Sequence, residues 1–241
     1  MYMPRRSADD TRLLIMGAAL RMLLERGATA GVQHIRLQEV LRSVGLTTGA
    51  AYRIWPDQDA FHRDLAIEMM RLRFAPPADS ASRAIREAIA GDGSMDDVVR
   101  LAAQDHVSYA ARFHLEPESR DSHAFITALA LRTAAGAWPE LREAAAERHR
   151  ESIDSFAAFY GELIAHFGYR VRDPFTITDF AEAMAALGEG FAIRAAQGLD
   201  HPTYEFSPDG GPKQEWTLFG VAIRGLASAF LEPEGTPGRL D

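Results

Sequence analysis

One stretch, from Arg36 to Phe61, constrains the fold of this 241-residue chain more than any other. It reads RLQEVLRSVGLTTGAAYRIWPDQDAF. Its first residues place apolar side chains at helical spacing. Gly45 follows where the chain must turn, because a residue without Cβ adopts positive φ at little cost. Thr47 is a suitable N-cap for a second helix, which a Trp-Pro pair ends. The pattern predicts short helices over residues 37–43 and 48–54, joined by a tight turn.

Longer helical patterns flank this stretch. Apolar residues at helical spacing predict a helix over 10–26, capped by Asp9 or Asp10, and a linking helix over 58–74. The sequence APPADS at 75–80 breaks the linking helix, since proline cannot continue it. The predicted domains are therefore residues 1–74 and 75–241.

The larger second domain has helical patterns separated by turn residues. The expected helices cover 80–90, 95–114, 118–136, 138–167, 176–198 and 214–231. The Pro- and Gly-rich stretch 199–213 is expected to be an irregular loop, and the tail from Glu232 is expected to lack regular structure. No run of alternating β-branched residues stands out, so the predicted class is all-α: a three-helix head followed by a larger helical domain.

Charge is distributed unevenly along the chain. The net charge is −8, yet residues 1–73 carry 11 Arg against 8 Asp and Glu, whereas residues 74–241 carry 15 Lys and Arg against 26 Asp and Glu. A basic head on an acidic body indicates that only the head contacts a polyanion. Chance composition explains the charge difference equally well.

Cysteine is absent, which excludes disulfides, thiolate nucleophiles and Cys-ligated zinc and is typical of a reducing compartment. No uncharged run is long enough to span a membrane, and the start MYMPRRSADDTR lacks the apolar segment of a secretory signal. We therefore expect a cytoplasmic protein. We also expect no metal and no cofactor, because no HExxH motif occurs and no two His lie four residues apart.

Two short helices joined by a tight turn form the layout of a helix-turn-helix DNA reader. Residues 12–70 also resemble the DNA-binding head of the TetR family of bacterial transcriptional regulators. The matching elements are the long first helix, VGLT at 44–47, GAAY at 49–52 and WPD at 55–57, followed by Asp59 and Phe61. The resemblance implies a DNA-binding homodimer that senses a small molecule in its helical body, most often a repressor.

The resemblance and the groove geometry together select nine candidate DNA-binding residues. A recognition helix must fit a major groove about 12 Å wide, so small residues suit its closest approach. Thr48 and Arg53 have side chains that can reach base edges or phosphates, and the family tyrosine corresponds to Tyr52. The candidates are Arg36, Gln38, Thr47, Thr48, Gly49, Ala50, Tyr52, Arg53 and Gln58.

Two of these positions depart from the family pattern. Arg36 stands where the family usually has Thr, and Gln58 stands where it has Lys, which removes one positive charge beside a phosphate. Arg36 and Arg53 offset that loss, since guanidinium pairs well with phosphate. A head that no longer binds DNA is the alternative.

The body offers aromatic and polar side chains at three- and four-residue spacings. If they converge, they form a mostly apolar pocket with a few orienting groups; ordinary core packing is the alternative for each. His106 and Tyr109 are the foremost candidates for orienting a ligand. The full set is His106, Tyr109, Phe113, Phe125, Leu129, Phe159, Met184 and Phe191.

Residues 176–198 and 214–231 are rich in Ala and Gly and have wide apolar faces. In the family the last two helices form the dimer interface, so we expect a homodimer through these segments. An intramolecular core is the alternative. We expect no enzyme, because no nucleophile-base pair is evident. A partner-binding module or a small-molecule enzyme with a degenerate helix-turn-helix remains the alternative function.

Overall fold

The computed structural model of the chain describes residues 7–27, 29–72, 83–91, 93–115, 120–134, 138–208 and 210–235. These residues form ten helices and five short strands, which confirms the predicted all-α class. The chain divides into two compact units. The first unit comprises residues 1–73 and 116–148, and the second comprises residues 74–115 and 149–241.

The elements follow one another along the chain with bounds close to the predicted ones. In order they are α1 (Ala8–Arg26), β1 (Thr29–Val32), α2 (Leu37–Ser43), α3 (Thr48–Ala51), α4 (Gln58–Arg71), α5 (Arg83–Ala90), α6 (Met95–Leu115), α7 (Arg120–Ala134), α8 (Pro139–His166), β2 (Tyr169–Val171), α9 (Ile177–Ala196), β3 (Thr203–Phe206), β4 (Gln214–Thr217), α10 (Leu218–Phe230) and β5 (Leu231–Pro233).

The start of α1 differs from the prediction. Ser7 is the N-cap, and its hydroxyl accepts from the Asp10 amide at 3.0 Å while the Asp10 carboxylate accepts from the Ser7 amide at 3.3 Å. This reciprocal arrangement satisfies two amides that a helix start leaves without partners. The prediction that Asp9 or Asp10 caps the helix was therefore wrong, because Asp10 is the third residue inside it.

The start of α4 agrees with the prediction. Asp57 is its N-cap, and the carboxylate accepts from the Ala60 amide at 2.7 Å. The helix ends at Arg71, three residues before the predicted end. Residues 73 and 74 lie outside the described residues.

The first unit is built around one continuous apolar cluster. α1, α2, α4 and α7 all contribute buried side chains, and the fully buried Phe61 packs edge-on against Trp55 with ring centroids 5.3 Å apart. The largest fully buried side chains of the cluster include Ile15, Leu23, Ile35, Leu41, Phe61, Leu65, Met69, Met70 and Leu141. The head helices therefore rest on a packed core, which fixes where their outer faces lie.

In the second unit, α6, α9 and α10 pack against one another. Its apolar residues form separate clusters, centred on the side chains Phe219, Ala181 and Phe180. α8 contributes its residues from 149 onward to this unit. None of the helices described above has the length and apolar character needed to cross a bilayer.

Two antiparallel strand pairs were missed by the sequence analysis. β3 lies in the stretch 199–213 predicted to be an irregular loop, and it pairs with β4, with Tyr204 opposite Trp216. β4 occupies residues 214–217, which were predicted as the start of a helix over 214–231, so that helix begins at Leu218 instead. β5 pairs with β2, so the chain beyond residue 231 has regular structure as far as Pro233, contrary to the prediction. The aromatic residues of TYEF, at 203–206, alternate with polar ones, whereas QEWT, at 214–217, has only one aromatic residue. This period of two is the signal of a strand, and the surrounding Pro and Gly residues hid it.

Candidate DNA-binding surface

The turn between α2 and α3 has the predicted geometry. Gly45 has φ +66, a conformation that residues with a side chain adopt at a cost. The Leu46 amide donates to the Leu41 carbonyl at 2.9 Å, which closes the turn. Leu46 packs against the apolar cluster of the first unit. These contacts set the direction in which α3 leaves the turn.

The recognition helix presents small residues outward. Thr47, Thr48 and Gly49 are exposed, Ala50 is half-buried, and Ala51 is fully buried against the core. No atom lies within 4 Å of where a Cβ on Gly49 would stand. α3 is therefore an uncrowded ridge whose outer side is open to solvent.

α3 is shorter than predicted. The regular helix ends at Ala51, and the chain continues to Trp55 in turns closed by hydrogen bonds such as Trp55 to Ala51 at 2.9 Å. Thr47 occupies the N-cap position, yet its side chain makes no capping hydrogen bond. Its hydroxyl is therefore not committed to the helix start.

Longer side chains surround this ridge. Tyr52 is 58% exposed, which is high for an aromatic residue of a packed unit, and Arg53 beside it is exposed too. Arg36 and Gln38 are exposed on α2. Residues of both helices line a shallow, open depression of about 430 Å³ that includes Arg36, Gln38, Thr48 and Tyr52. Eight of the nine predicted residues thus have exposed or half-exposed positions on or beside α2 and α3.

Two exposed arginines, Arg36 and Arg53, lie on this surface. Within the described part of the chain, neither Arg36 nor Arg53 forms an ion pair. The acidic residue nearest in sequence, Glu39, is bonded by Arg26, whose guanidinium donates to Oε2 at 3.0 Å. That hydrogen bond lowers the pKa of Glu39, so its carboxylate stays charged and paired. The exposed guanidiniums of Arg36 and Arg53 therefore have no competing contact with Glu39.

Gln58, the ninth predicted residue, is oriented differently. Its amide oxygen accepts from the Leu37 amide at 3.1 Å, and its amide nitrogen donates to the Ile35 carbonyl at 3.1 Å. Both bonds lie inside the first unit, so the polar end of this half-buried side chain faces the protein.

A polar network missed by the sequence analysis holds the end of the recognition helix. The Trp55 indole donates to the Asp64 carboxylate at 2.8 Å, and Arg12 donates to the same carboxylate at 3.2 Å and to Glu68 at 3.0 Å. The network joins α1, α4 and the residues after α3. The only sequence signal for it was the pair of acidic residues four positions apart on α4.

The predicted ligand residues are divided between the two units. In the second unit His106 contacts Phe219, with ring centroids 4.9 Å apart, and Phe219 contacts Phe191 at 4.8 Å. Met184 packs against the same cluster, and Tyr109 is half-buried on α6. Phe159 instead lies beside Tyr160, at 5.6 Å.

Three further predicted ligand residues are Phe113, Phe125 and Leu129. Phe125 and Leu129 belong to the first unit. The Phe113 side chain lies outside the described residues.

His106 has a defined protonation state within its cluster. Its Nε2 lies 2.9 Å from the Gly188 carbonyl, and because a carbonyl only accepts, Nε2 carries the proton. Burial lowers the pKa of His106, and a second imidazole, His201, lowers it further. Sequence reasoning missed Phe219 as a member of this cluster because it assigned 214–231 to the dimer interface. It missed His201 because that residue lies in the stretch 199–213, which was predicted to be an irregular loop.

Solved structures similar to this chain are transcriptional regulators. The match to one from Rhodococcus sp. RHA1 covers 77% of this chain and 86% of that protein's chain, with 14% identity and a TM-score of 0.50. The match to a regulator from Rhodococcus sp. described as TetR-family covers 91% of this chain and 98% of that protein's chain, with 16% identity and a TM-score of 0.44. The match to NalD, the secondary repressor of the MexAB-OprM multidrug efflux pump in Pseudomonas aeruginosa, covers 93% of this chain and 98% of the NalD chain, with 22% identity and a TM-score of 0.41.

One of these neighbours is described as a TetR-family regulator, the family that the sequence resembles. The likeness to the regulator from Rhodococcus sp. RHA1, at a TM-score of 0.50 and 14% identity, shows a shared fold. Neither a protein-family model nor a curated protein matches the chain. What this chain binds must therefore be argued from its own surface.

Proposed function

We propose that this chain is a transcriptional regulator that binds duplex DNA through α2 and α3. The observation that carries the proposal is the composition of the exposed surface of these helices. Small residues, Thr48 and Gly49, lie at its centre, and two exposed arginines, Arg36 and Arg53, lie beside it. This combination of close approach and positive charge suits a major groove lined by phosphates.

Each side chain has a role that its chemistry supports. Arg53 can donate two hydrogen bonds to guanine or hold a phosphate, and the Thr48 methyl can meet a thymine methyl. The exposed hydroxyls of Thr47 and Tyr52 suit phosphate oxygens, as does the guanidinium of Arg36. Gln38 and Ala50 complete the surface that would face the groove.

We propose further that the protein acts as a homodimer through α9 and α10. Ile193 on α9 is 41% exposed and Leu218 on α10 is 36% exposed, and a second copy would remove such apolar side chains from water. Two heads related by a twofold axis would read a near-palindrome with half-sites about 34–36 Å apart.

The proposed regulation is release from DNA by a small molecule bound in the second unit. The aromatic cluster of His106, Phe191 and Phe219 supports this, because it combines apolar rings with a polar ring edge. A ligand acts only through a difference in affinity between the DNA-binding conformation and another one. Repression is the proposed outcome of DNA binding.

A selection of randomised duplex DNA on the purified protein tests the proposal, with the affinity then measured over a salt series. We expect a near-palindromic sequence and a steep loss of affinity with salt. Thr48→Ala should change the preferred base at one position of each half-site. Tyr52→Phe should weaken binding to all sequences by about 0.5–1.5 kcal/mol, because it loses one hydrogen bond. No enrichment at low salt would refute the proposal and favour a protein-partner module.

A further inference from the structure

The side chain of Gln58 holds the backbone on both sides of Arg36. Its amide oxygen accepts from the amide of Leu37, and its amide nitrogen donates to the carbonyl of Ile35, both at 3.1 Å. Leu37 is 5% exposed and Ile35 is fully buried, so water does not satisfy these backbone groups. A buried amide or carbonyl left without a partner costs more than an ordinary hydrogen bond contributes.

Arg36 needs this help because it cannot cap the helix that it precedes. It occupies the N-cap position of α2 with an extended backbone, φ −84 and ψ 124, and its side chain makes no capping hydrogen bond. A guanidinium has donors only, whereas the amides of a first helical turn require an acceptor. Gln58, which is the first residue of α4, supplies that acceptor from another helix.

The Leu37 amide fixes the orientation of the Gln58 amide. Because the Gln58 oxygen must face this donor, its nitrogen must face the Ile35 carbonyl. The His62 Nε2, one turn along α4, lies 2.7 Å from the Gln58 nitrogen and 3.0 Å from the same Ile35 carbonyl. The Ile35 oxygen therefore faces two side chains, and the bond from Leu37 to the Gln58 oxygen is the one that sets the orientation of the amide.

We propose that Gln58 is a positioning residue for Arg36: it caps α2 in place of residue 36 and so leaves the Arg36 side chain to bind a phosphate. The exchange explains both departures from the family pattern. Position 58 supplies an acceptor for the first amide of α2, and position 36 supplies the positive charge that a lysine at position 58 would carry. The inference rests on the proposed DNA-binding function.

A double-substitution cycle in the full chain tests the inference. The proteins are the natural chain, Gln58→Met, Arg36→Ala and the double variant, with Gln33→Met as the control at an exposed glutamine of the same unit. Methionine matches the length of glutamine, so Gln58→Met removes both hydrogen bonds with little change in packing. Each protein is measured by thermal unfolding and by affinity for the selected duplex over a salt series.

We expect Gln58→Met to lower the thermal midpoint by about 2–4 °C, and Arg36→Ala and Gln33→Met to leave it unchanged. Arg36→Ala should reduce the salt slope of duplex binding by about 0.9, the share of one phosphate contact. Gln58→Met should weaken duplex binding severalfold in the natural background but by less than about twofold when Arg36 is already absent, since the two residues act through one contact.

Two results would overturn the inference: an unchanged thermal midpoint for Gln58→Met, or an equal loss of affinity in both backgrounds. The second result would mean that Gln58 contacts DNA independently. If the natural chain binds no duplex at all, the proposed function fails and the role of Arg36 fails with it. The thermal midpoint of Gln58→Met still reports on the cap in that case, so the two failures are distinguishable.

Discussion

The two units bury their apolar residues in different ways. The first unit has one continuous cluster that α1, α2, α4 and α7 share, whereas the second has separate clusters with many partly exposed members. Large apolar side chains at the surface follow the same division. Among the described residues, Leu13 and Tyr52 are such side chains in the first unit, and the second has Phe175, Ile193, Leu199, Tyr204, Phe206 and Leu218.

The difference teaches how each unit specifies its surface. In the first unit a continuous core fixes the helices, so the exposed residues of α2 and α3 follow from their spacing. In the second unit an aromatic residue can belong to a core, a pocket or an interface with another copy, and spacing alone does not decide among these. Residue spacing therefore predicts the exposed surface of the first unit better than that of the second.

The largest expected effect tests the continuous core. Phe61→Ala removes a fully buried ring that packs on Trp55, and it should cost about 3–5 kcal/mol of unfolding free energy. DNA binding should be lost with it, because the recognition helix rests on this core. Urea unfolding followed by circular dichroism measures the first effect.

Tyr52→Ala is the matched control for that experiment. This aromatic residue is 58% exposed, so its loss should change the unfolding free energy by less than about 0.5 kcal/mol while duplex affinity falls. Equal destabilisation by the two substitutions would show that Tyr52 belongs to the core, and the division between core and surface in the first unit would be wrong.

Alanine substitutions of one glycine from each unit should have smaller effects on the unfolding free energy. Gly45 has φ +66 in the turn before α3, so Gly45→Ala should cost about 1–2 kcal/mol through backbone strain. Gly188 lies within α9, where an added Cβ would stand 3.6 Å from the His106 ring, an ordinary contact. Gly188→Ala should therefore be neutral or stabilise by up to about 1 kcal/mol.

The same urea titration measures both glycine substitutions. A neutral Gly45→Ala would mean that the turn relaxes and that α3 is held by its core contacts alone. A strongly destabilising Gly188→Ala would mean that α6 and α9 approach each other more closely than the structure indicates.

The helix-turn-helix was predictable because its determinants are local. The Gly45 turn, the inward apolar residues of α2 and the Trp-Pro end of the recognition helix all act within a few residues of their own positions. The role of Gln58 was not predictable in this way. Its two hydrogen bonds join residues more than twenty positions apart, and the same side chain could equally have faced a phosphate.

The second unit shows more clearly which contacts cannot be predicted from residue spacing. The alternation of TYEF is visible in the sequence, yet only the pairing of Tyr204 with Trp216 shows that TYEF and QEWT meet. His106 and Phe191 do share a cluster, as predicted, but through Phe219, which the sequence analysis had placed at a dimer interface. Contacts between distant helices carry this information, and a spacing rule on one helix does not.

The smallest expected effect uses the buried imidazole of the second unit. The pKa of His106 is lowered from its ordinary value of 6.5, chiefly by burial. The unfolded chain therefore binds a proton at this residue before the folded chain does, so the stabilising contribution is present above pH 6.5 and is lost as the pH falls below it. The loss should reach at most about 1.4 kcal/mol per pH unit.

His106→Gln should remove this dependence, because the amide does not titrate and can still donate toward the Gly188 carbonyl. The measurement is the unfolding free energy of the natural chain minus that of the variant, taken at pH values from about 7.5 down to 5.5, across the ordinary His range. His166→Gln, which removes an exposed imidazole at the end of α8, serves as the control. A difference that stays constant with pH would show that His106 titrates normally, and the cluster around Phe219 would then be open to water rather than a closed part of the second unit.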